Sequence, residues 1–370
     1  MRIGFSKSEM RFPNGLEMAG YSERKEKSTG RLSPLEIASI CFEDDHKAIF
    51  FCVLDILGFP RGLSFDSAIP IATHTHSGPK PSVVVEMLKE VVKHNNRLSG
   101  SALAELTRIE VLSFNSPGVC SLRTERETKR PLEGRLLVFS STSDRVGLLI
   151  FPCHPTVLGP DNTKYSSDLA GSIRNKLEVL FGFPVVFLNS CCGDVSTRFT
   201  RKSRDFHEIE RLSELFASSI KVLSTTAFEP GELQFQRTCL SLPLKNHSED
   251  LEIPADKYAL SGYELSKARS LEDQEASRIA PLALVSIGDI AFLFLPFEVL
   301  YSTGETLREI MLSIFEHAEV VCYSLAYLSY LTPRKAYGTY EYYASPYSGA
   351  AHDLLVAHVQ DLINKRGDPT

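Results

Sequence analysis

Along the chain, apolar runs of strand length alternate with longer stretches of helical period, the pattern of an α/β protein. Strands are predicted over 35–42, 48–55, 68–73, 108–114, 135–139, 146–151, 185–188, 234–242, 282–287, 290–295 and 320–325. Helices are predicted over 82–94, 101–106, 166–180, 205–223, 263–278, 303–315 and 350–365. Two helix starts carry local signals: Ser82 precedes an apolar-periodic stretch, and Asp205 is followed three residues later by Glu208, as in a capping box. The polar stretch 246–256 is the one candidate linker, yet strands resume after it and no Gly/Ser or Pro tract marks a boundary. No internal repeat or low-complexity segment interrupts the pattern. The expectation is a single α/β domain, a large mixed β-sheet core flanked by helices, with its site at the C-terminal ends of strands.

Composition narrows the function classes. With 43% hydrophobic and 23% charged residues in 370, the chain is an ordinary globular one, which excludes disorder and fibrous repeats. Forty Lys plus Arg against 46 Asp plus Glu, a formal charge of -6, provides no excess positive field for a polyphosphate, so nucleic acid is not expected as a partner. The first residues include no apolar signal-peptide core, and the longest apolar run, 290–297, is too short to span a bilayer. Eight cysteines (41, 52, 120, 153, 191, 192, 239 and 322) sit mostly in apolar segments without CxxC spacing. They read as buried thiols of a reducing compartment, which points to the cytoplasm.

The chemistry gathers at strand ends. Ile69-Pro70-Ile71-Ala72-Thr73-His74-Thr75-His76-Ser77-Gly78-Pro79 runs an apolar strand into two histidines, and a persisting strand puts both imidazoles on one face. Such a pair is a metal signal, with hydrogen-bonded loop histidines as the equal alternative. His154 follows another strand, between Pro152 and Pro155, which restrict the neighbouring backbone. Glu298 follows the apolar run 290–297; taken alone it reads as a helix-start carboxylate. Two His and one Glu with an open position make a catalytic zinc set. Asn189-Ser190-Cys191-Cys192-Gly193-Asp194-Val195-Ser196 breaks a strand into a small-residue loop. There Gly193 permits close backbone approach to a ligand, and Ser196 offers a hydroxyl without a GxSxG elbow. Cys191 and Cys192 read as packed side chains. Between Tyr330 and Tyr343 lie five of the 13 tyrosines, a candidate site wall or an aromatic loop on the core.

These motifs, in this order, resemble the neutral/alkaline (non-lysosomal) ceramidases and the wider group of ceramidase-like zinc amidohydrolases. The likeness starts at Ile3-Gly4-Phe5, similar to the family's opening strand, and Met18-Ala19-Gly20-Tyr21, similar to its M-x-G-Y turn, and continues through Leu54-Asp55. Its most specific part is Thr73 to Pro79, which matches THTHSGP without substitution. His154-Pro155-Thr156, Ser167-Asp168, Gly193-Asp194-Val195-Ser196, Glu298 and the tyrosine loop follow in the family's order.

The resemblance implies that residues 1–370 form a ceramidase-like catalytic domain in which His74, His154, Glu298 and Tyr330 coordinate one zinc ion. It places His76 beside the metal and makes Ser196 the serine of amide hydrolysis, as nucleophile or as positioner of water. Tyr342, twelve residues after Tyr330, becomes the phenol that steadies the oxyanion, with Arg123 a looser match to an Asn-Arg site. Asp168 and Asp194 would orient loops or ligating histidines. The implied reaction is zinc-assisted hydrolysis of an N-acyl amide, ceramide to sphingosine and fatty acid or a related small N-acyl substrate.

Three positions depart from the family's pattern: Cys191 replaces an asparagine, Thr197 a proline and Phe297 a glycine. Each is expected to add bulk or remove a polar group at the site wall. The signal peptide and the C-terminal β-sandwich domain usual in the family are also expected to be missing. The rival to an enzyme is a non-catalytic binding protein on the same fold. An esterase or phosphatase lacks support, because no phosphate loop or Asp-rich two-metal cluster is present.

Overall fold

The computed structural model describes residues 1–65, 67–115, 118–123, 132–245 and 278–367. Two β-sheets pack face to face, and helices cover both outer faces. The larger sheet holds β1 (Arg2–Met10), β2 (Leu35–Glu43), β3 (Ala48–Leu54), β4 (Ala68–Ala72), β5 (Ala104–Asn115), β6 (Glu133–Ser141), β7 (Arg145–Phe151), β8 (Val185–Asn189) and β9 (Lys221–Phe228). Its strand order is β8-β7-β6-β5-β1-β2-β3-β4, with β9 pairing β5 off that path. The β7–β8 and β3–β4 pairs are parallel and the others antiparallel, so the sheet is mixed, as expected.

The smaller sheet runs β10 (Leu233–Ser241), β11 (Ile279–Ile287), β12 (Ile290–Phe294), β13 (His317–Val321), with only β12 and β13 parallel. Helices α1 (Val85–Ser101), α2 (Asp168–Phe181) and α3 (Phe206–Ser219) lie over the larger sheet. Helices α4 (Tyr301–Met311) and α6 (Gly349–Gly367) cover the smaller one, and α5 (Tyr340–Ala344) is a short turn near them. Among the described residues, no helix is long and apolar enough to cross a membrane.

Burial on both faces explains the unbroken apolar runs. In β3, Ile49, Phe51 and Val53 face the second sheet, whereas Cys52 and Leu54 join the cluster that contains Leu88 and Val92 of α1. The Phe51 ring meets Phe292 and Phe294 of β12 at centroid distances of 5.5 and 5.0 Å. Each fully buried phenylalanine contributes about 1.5–3 kcal/mol of apolar transfer, so this row is a main tie between the sheets.

Several expected elements differ. Residues 101–106 are the end of α1 and the start of β5, not a helix, and the helix expected over 205–223 stops at Ser219. Beyond it β9 begins, where Val222, Thr225 and Thr226 favour extended backbone although Ile220 and Leu223 prolong the apolar spacing. Asp205 does cap α3, accepting from the Glu208 amide, but Ser82 lies in a 3-10 turn ahead of α1. The linker 246–256 and nearly all of the helix 263–278 lie outside the described residues. The cysteines also differ from eight buried thiols: Cys120 and Cys153 form a disulfide, and Cys239 is exposed.

Candidate metal centre

β4 ends at Ala72, so the two histidines beyond it are not carried by a continuing strand. Instead the His74 amide donates to Ile56 O at 3.0 Å, and His74 takes a left-handed φ of +67°. That conformation costs a β-carbon residue roughly 1–3 kcal/mol and needs surrounding structure to hold it. The support is a 2.7 Å hydrogen bond from His74 Nδ1 to Leu57 O and a stack on Tyr323, ring centroids 4.0 Å apart. The turn brings His76 Nε2 to 3.2 Å from His74 Nε2.

His154 leaves β7 and is held by its amide, which donates to Val195 O at 3.1 Å. Its Nδ1 donates to Cys192 O at 2.8 Å, and its Nε2 lies 2.8 Å from Glu298 Oε2. A carbonyl only accepts, so Nδ1 of both His74 and His154 carries a proton, and each Nε2 turns inward. Glu298 stands on a two-residue strand, Glu298–Val299, paired in parallel with Tyr330–Leu331. It therefore does not begin α4; that helix end is capped by Asp194, whose Oδ1 accepts from the Tyr301 amide at 2.8 Å. Glu298 Oε1 accepts from the Tyr327 hydroxyl and lies 3.6 Å from His74 Nε2.

Ligand atoms of His74, His76 and His154 lie within 4.8 Å of one another, all beside the buried Glu298 carboxylate. Burial pushes the pKa of His74 down to about 4, and His76 falls well below the usual histidine range for the same reason. Burial alone would raise Glu298, but His74, His154 and Tyr327 outweigh it and hold the carboxyl far below the ordinary range. Burial would lower His154 too, but Cys192 and then Glu298 outweigh it and raise that imidazole to about 10. His74 and His76 are thus the neutral rings, and His154 must release its Nε2 proton to join them as a cation's donor. His76 Nδ1 is buried with no partner among the described residues, whereas a ligating ring ordinarily donates its other N–H, as His74 and His154 do to Leu57 O and Cys192 O. The cluster fits a divalent cation.

The cluster opens on a cleft of about 1510 Å³, lined by His76, His154, Glu298, Ser196, Arg123, Tyr327, Tyr330 and Tyr340 among others. Ser196 forms a parallel bridge with His154, and its Oγ accepts from the Arg198 amide at 3.3 Å. Arg123 donates to Gly193 O and has Nε 2.6 Å from Glu341 Oε1. Burial disfavours that cation, but Glu341 and then Tyr330 more than restore it. Its guanidinium lies 6.0 Å from the centroid of the Tyr340 ring.

Tyr342 is placed elsewhere. It does not line the cleft: its ring meets Tyr337 and Tyr343 at 5.2 and 5.6 Å and carries Lys245 Nζ at 4.3 Å. Successive even positions of a helical turn point about 200° apart, so the phenol facing the cleft is Tyr340. Tyr323 and Tyr327 carried no motif; their only sequence signal was their i, i+4 spacing shortly before Tyr330.

The positions that depart from the family's pattern also lie off the cleft wall. Cys191 packs at 3.4 Å from Cys322 Sγ and against Gly304, Phe297 sets its ring edge-on to Tyr347, and Thr197 Oγ1 donates to Thr156 O. Gly193 serves another chain segment, not a ligand: its amide donates to Val299 O at 2.7 Å, and a β-carbon there would stand 2.8 Å from that oxygen. Asp168 holds the loop after His154, accepting from the amides of Val157 and Leu158 at 3.0 and 3.1 Å.

No model of a known protein family matches the chain, and no curated protein matches it. Solved structures do. The neutral ceramidase of Pseudomonas aeruginosa superposes with a TM-score of 0.75 at 15% identity, covering 98% of this chain and 74% of that one. A structure described as a ceramidase complexed with C2 gives 0.73 at 16% identity, covering 98% and 75%. The chain has a neutral ceramidase-like fold.

Proposed function

We propose that this chain is a zinc-dependent amidohydrolase, acting on ceramide or a related N-acyl compound, with residues 1–370 as its catalytic domain. The observation that carries the reading is the His74, His76, His154 and Glu298 cluster at the floor of an open cleft, on a ceramidase-like fold. His74, His154 and Glu298 would hold the ion with Tyr330, and His76 stands close enough to share that task or to bind the substrate carbonyl. Zinc, when bound, supplies a Lewis acid and lowers the pKa of water toward neutrality.

The chain's own residues supply the rest. Arg123, fixed by Gly193 O and Glu341, and the Tyr340 phenol point donors into the cleft where charge develops on the amide oxygen. Tyr340 takes the role expected of Tyr342. Ser196 places its hydroxyl beside His154 as nucleophile or water holder. Hydrolysis breaks the C–N bond; water's OH goes to the acyl carbon and its remaining proton to the nitrogen. The departures at Cys191, Thr197 and Phe297 lie off the wall, which removes the motive for an inactive binding protein.

Metal analysis of purified wild type and His154→Ala, followed by a screen of N-acyl amides including ceramide, tests the proposal. Stoichiometric zinc lost in the variant, with amide cleavage by the wild type, is expected. Wild-type protein without zinc affinity would sink it.

A further inference from the structure

Asn189 ends β8, whose other four residues are apolar, and it is fully buried. A carboxamide in such a place needs partners for both of its ends. Its Oδ1 accepts from the Cys153 amide at 3.2 Å, and its Nδ2 donates to Thr73 O at 3.3 Å. Cys153 and Thr73 are the residues immediately before His154 and His74. An amide N–H only donates and a carbonyl only accepts, so the two contacts fix which way the carboxamide points. The main-chain carbonyl of Asn189 makes a third tie, accepting from the Cys322 amide at 3.0 Å. The residue after Cys322 is Tyr323, whose ring stacks on His74.

The topology explains why one side chain meets all three segments. β8 and β4 are the two ends of the larger sheet's strand order, and β8 pairs with β7. His74 therefore leaves one end strand, and His154 leaves the neighbour of the other. No strand pair among the described residues joins β8 to β4, and the Asn189 carboxamide spans that gap. Thr73 is fixed within its own half of the sheet: its hydroxyl donates to Asp55 Oδ1 at 3.1 Å, and Arg174 of α2 donates to Asp55 Oδ2 at 3.1 Å. His154 is fixed in the other half by Val195 O and Cys192 O. Each histidine thus has a local frame, and Asn189 relates one frame to the other.

We infer that Asn189 is a positioning residue for the metal centre: its carboxamide sets the separation of His74 and His154 by holding the residue before each. The inference rests on the metal-binding half of the amidohydrolase reading and deepens it. The role needs a donor and an acceptor on one short side chain. Leucine has the volume and neither group, and aspartate keeps the acceptor but turns an oxygen toward Thr73 O.

Zinc affinity of the full chain, measured by competition with a chromophoric chelator, tests this in Asn189→Leu and Asn189→Asp. Both variants should bind zinc about tenfold or more weakly than wild type. The control is Phe139→Leu, at a fully buried position in β6 whose strand partner is Val146 at the far end of β7 from His154. It should lower the melting temperature and leave zinc affinity unchanged. Wild-type affinity in a folded Asn189 variant, or an equal loss in the control, overturns the inference. So does failure of both Asn189 variants to fold, which would make the residue a requirement of the fold alone. A second readout needs no metal: in metal-free protein with ¹⁵N-labelled histidine, the Nε2 signals of both His74 and His154 should move in Asn189→Leu and stay in place in the control. Wild-type protein without zinc affinity would remove the amidohydrolase reading, and these signals would then decide by themselves whether Asn189 places the two rings.

Discussion

Gly20 lies flat against the imidazole of His76: a β-carbon on Gly20 would stand 2.4 Å from His76 Cγ, and the glycine has a φ of +98°. The next residue, Tyr21, sets its ring edge-on to the same imidazole at 4.9 Å and donates its hydroxyl to Leu158 O at 2.5 Å. The turn is therefore a template for His76. Gly20→Ala should cost about 1–2 kcal/mol for the left-handed backbone alone and drive the imidazole out of the cluster. Thermal unfolding and a chelator competition for zinc measure the two effects. Unchanged zinc affinity would show that His76 does not share the ion.

The Tyr327 hydroxyl donates to Glu298 Oε1 and so orients the carboxylate from outside the histidine cluster. Partners of ligating groups are worth about 10–100-fold in metal affinity. Tyr327→Phe is expected to weaken zinc binding by that factor while leaving the fold intact by circular dichroism. Wild-type affinity in the variant would mean that Glu298 needs no such orientation.

Tyr340 and Tyr342 make opposite predictions although they are two residues apart. Loss of a donor to a developing oxyanion costs about 10²–10³-fold in kcat. Tyr340→Phe should show that loss with zinc content unchanged, whereas Tyr342→Phe should stay within about twofold of wild type, since it removes no group that faces the substrate. Steady-state kinetics on one N-acyl amide compares them, and the reverse ranking would restore the phenol to Tyr342.

Away from the cleft, Glu319 is buried in β13 with His317 Nε2 at 2.8 Å and Arg135 Nε at 3.4 Å from its Oε1. Burial alone would raise its pKa, but Arg135 and then His317 prevail and hold it below the ordinary glutamate range. The stabilisation is complete above the unfolded-state pKa and is lost as pH falls through the lower folded one. Glu319→Gln should thus be less stable than wild type near neutral pH, with the difference in melting temperature closing in acid. A gap independent of pH would show that the pair contributes no charge-dependent stability.

The sequence made the fold legible wherever a strand is buried on both faces. β3 and β12 are unbroken apolar runs, and length alone separates them from helices. β1 escaped the apolar pattern because Ser6, Ser8 and Glu9 interrupt it, although it pairs along its whole length with β2. Its Gly4 is there because α1 comes so near that a β-carbon would stand 2.0 Å from Ser99 O. β9 escaped because its side chains are nearly all exposed. At the site, His74, His154 and Glu298 were legible as polar residues after apolar strands. The phenols were not: whether Tyr340 or Tyr342 faces the cleft depends on the rotation of a five-residue helical turn, which a spacing of twelve does not determine.

His74 and His154 follow strands of the larger sheet, whereas Glu298 follows β12 of the smaller one. An ion shared by these side chains would be a cross-link between the two halves of the sandwich, made by side chains more than 140 residues apart in the chain. Loading then becomes visible without any substrate: metal bound only by the folded protein raises its stability by mass action. Chelation should accordingly lower the melting temperature and loosen the seam between the sheets before it touches either helical layer.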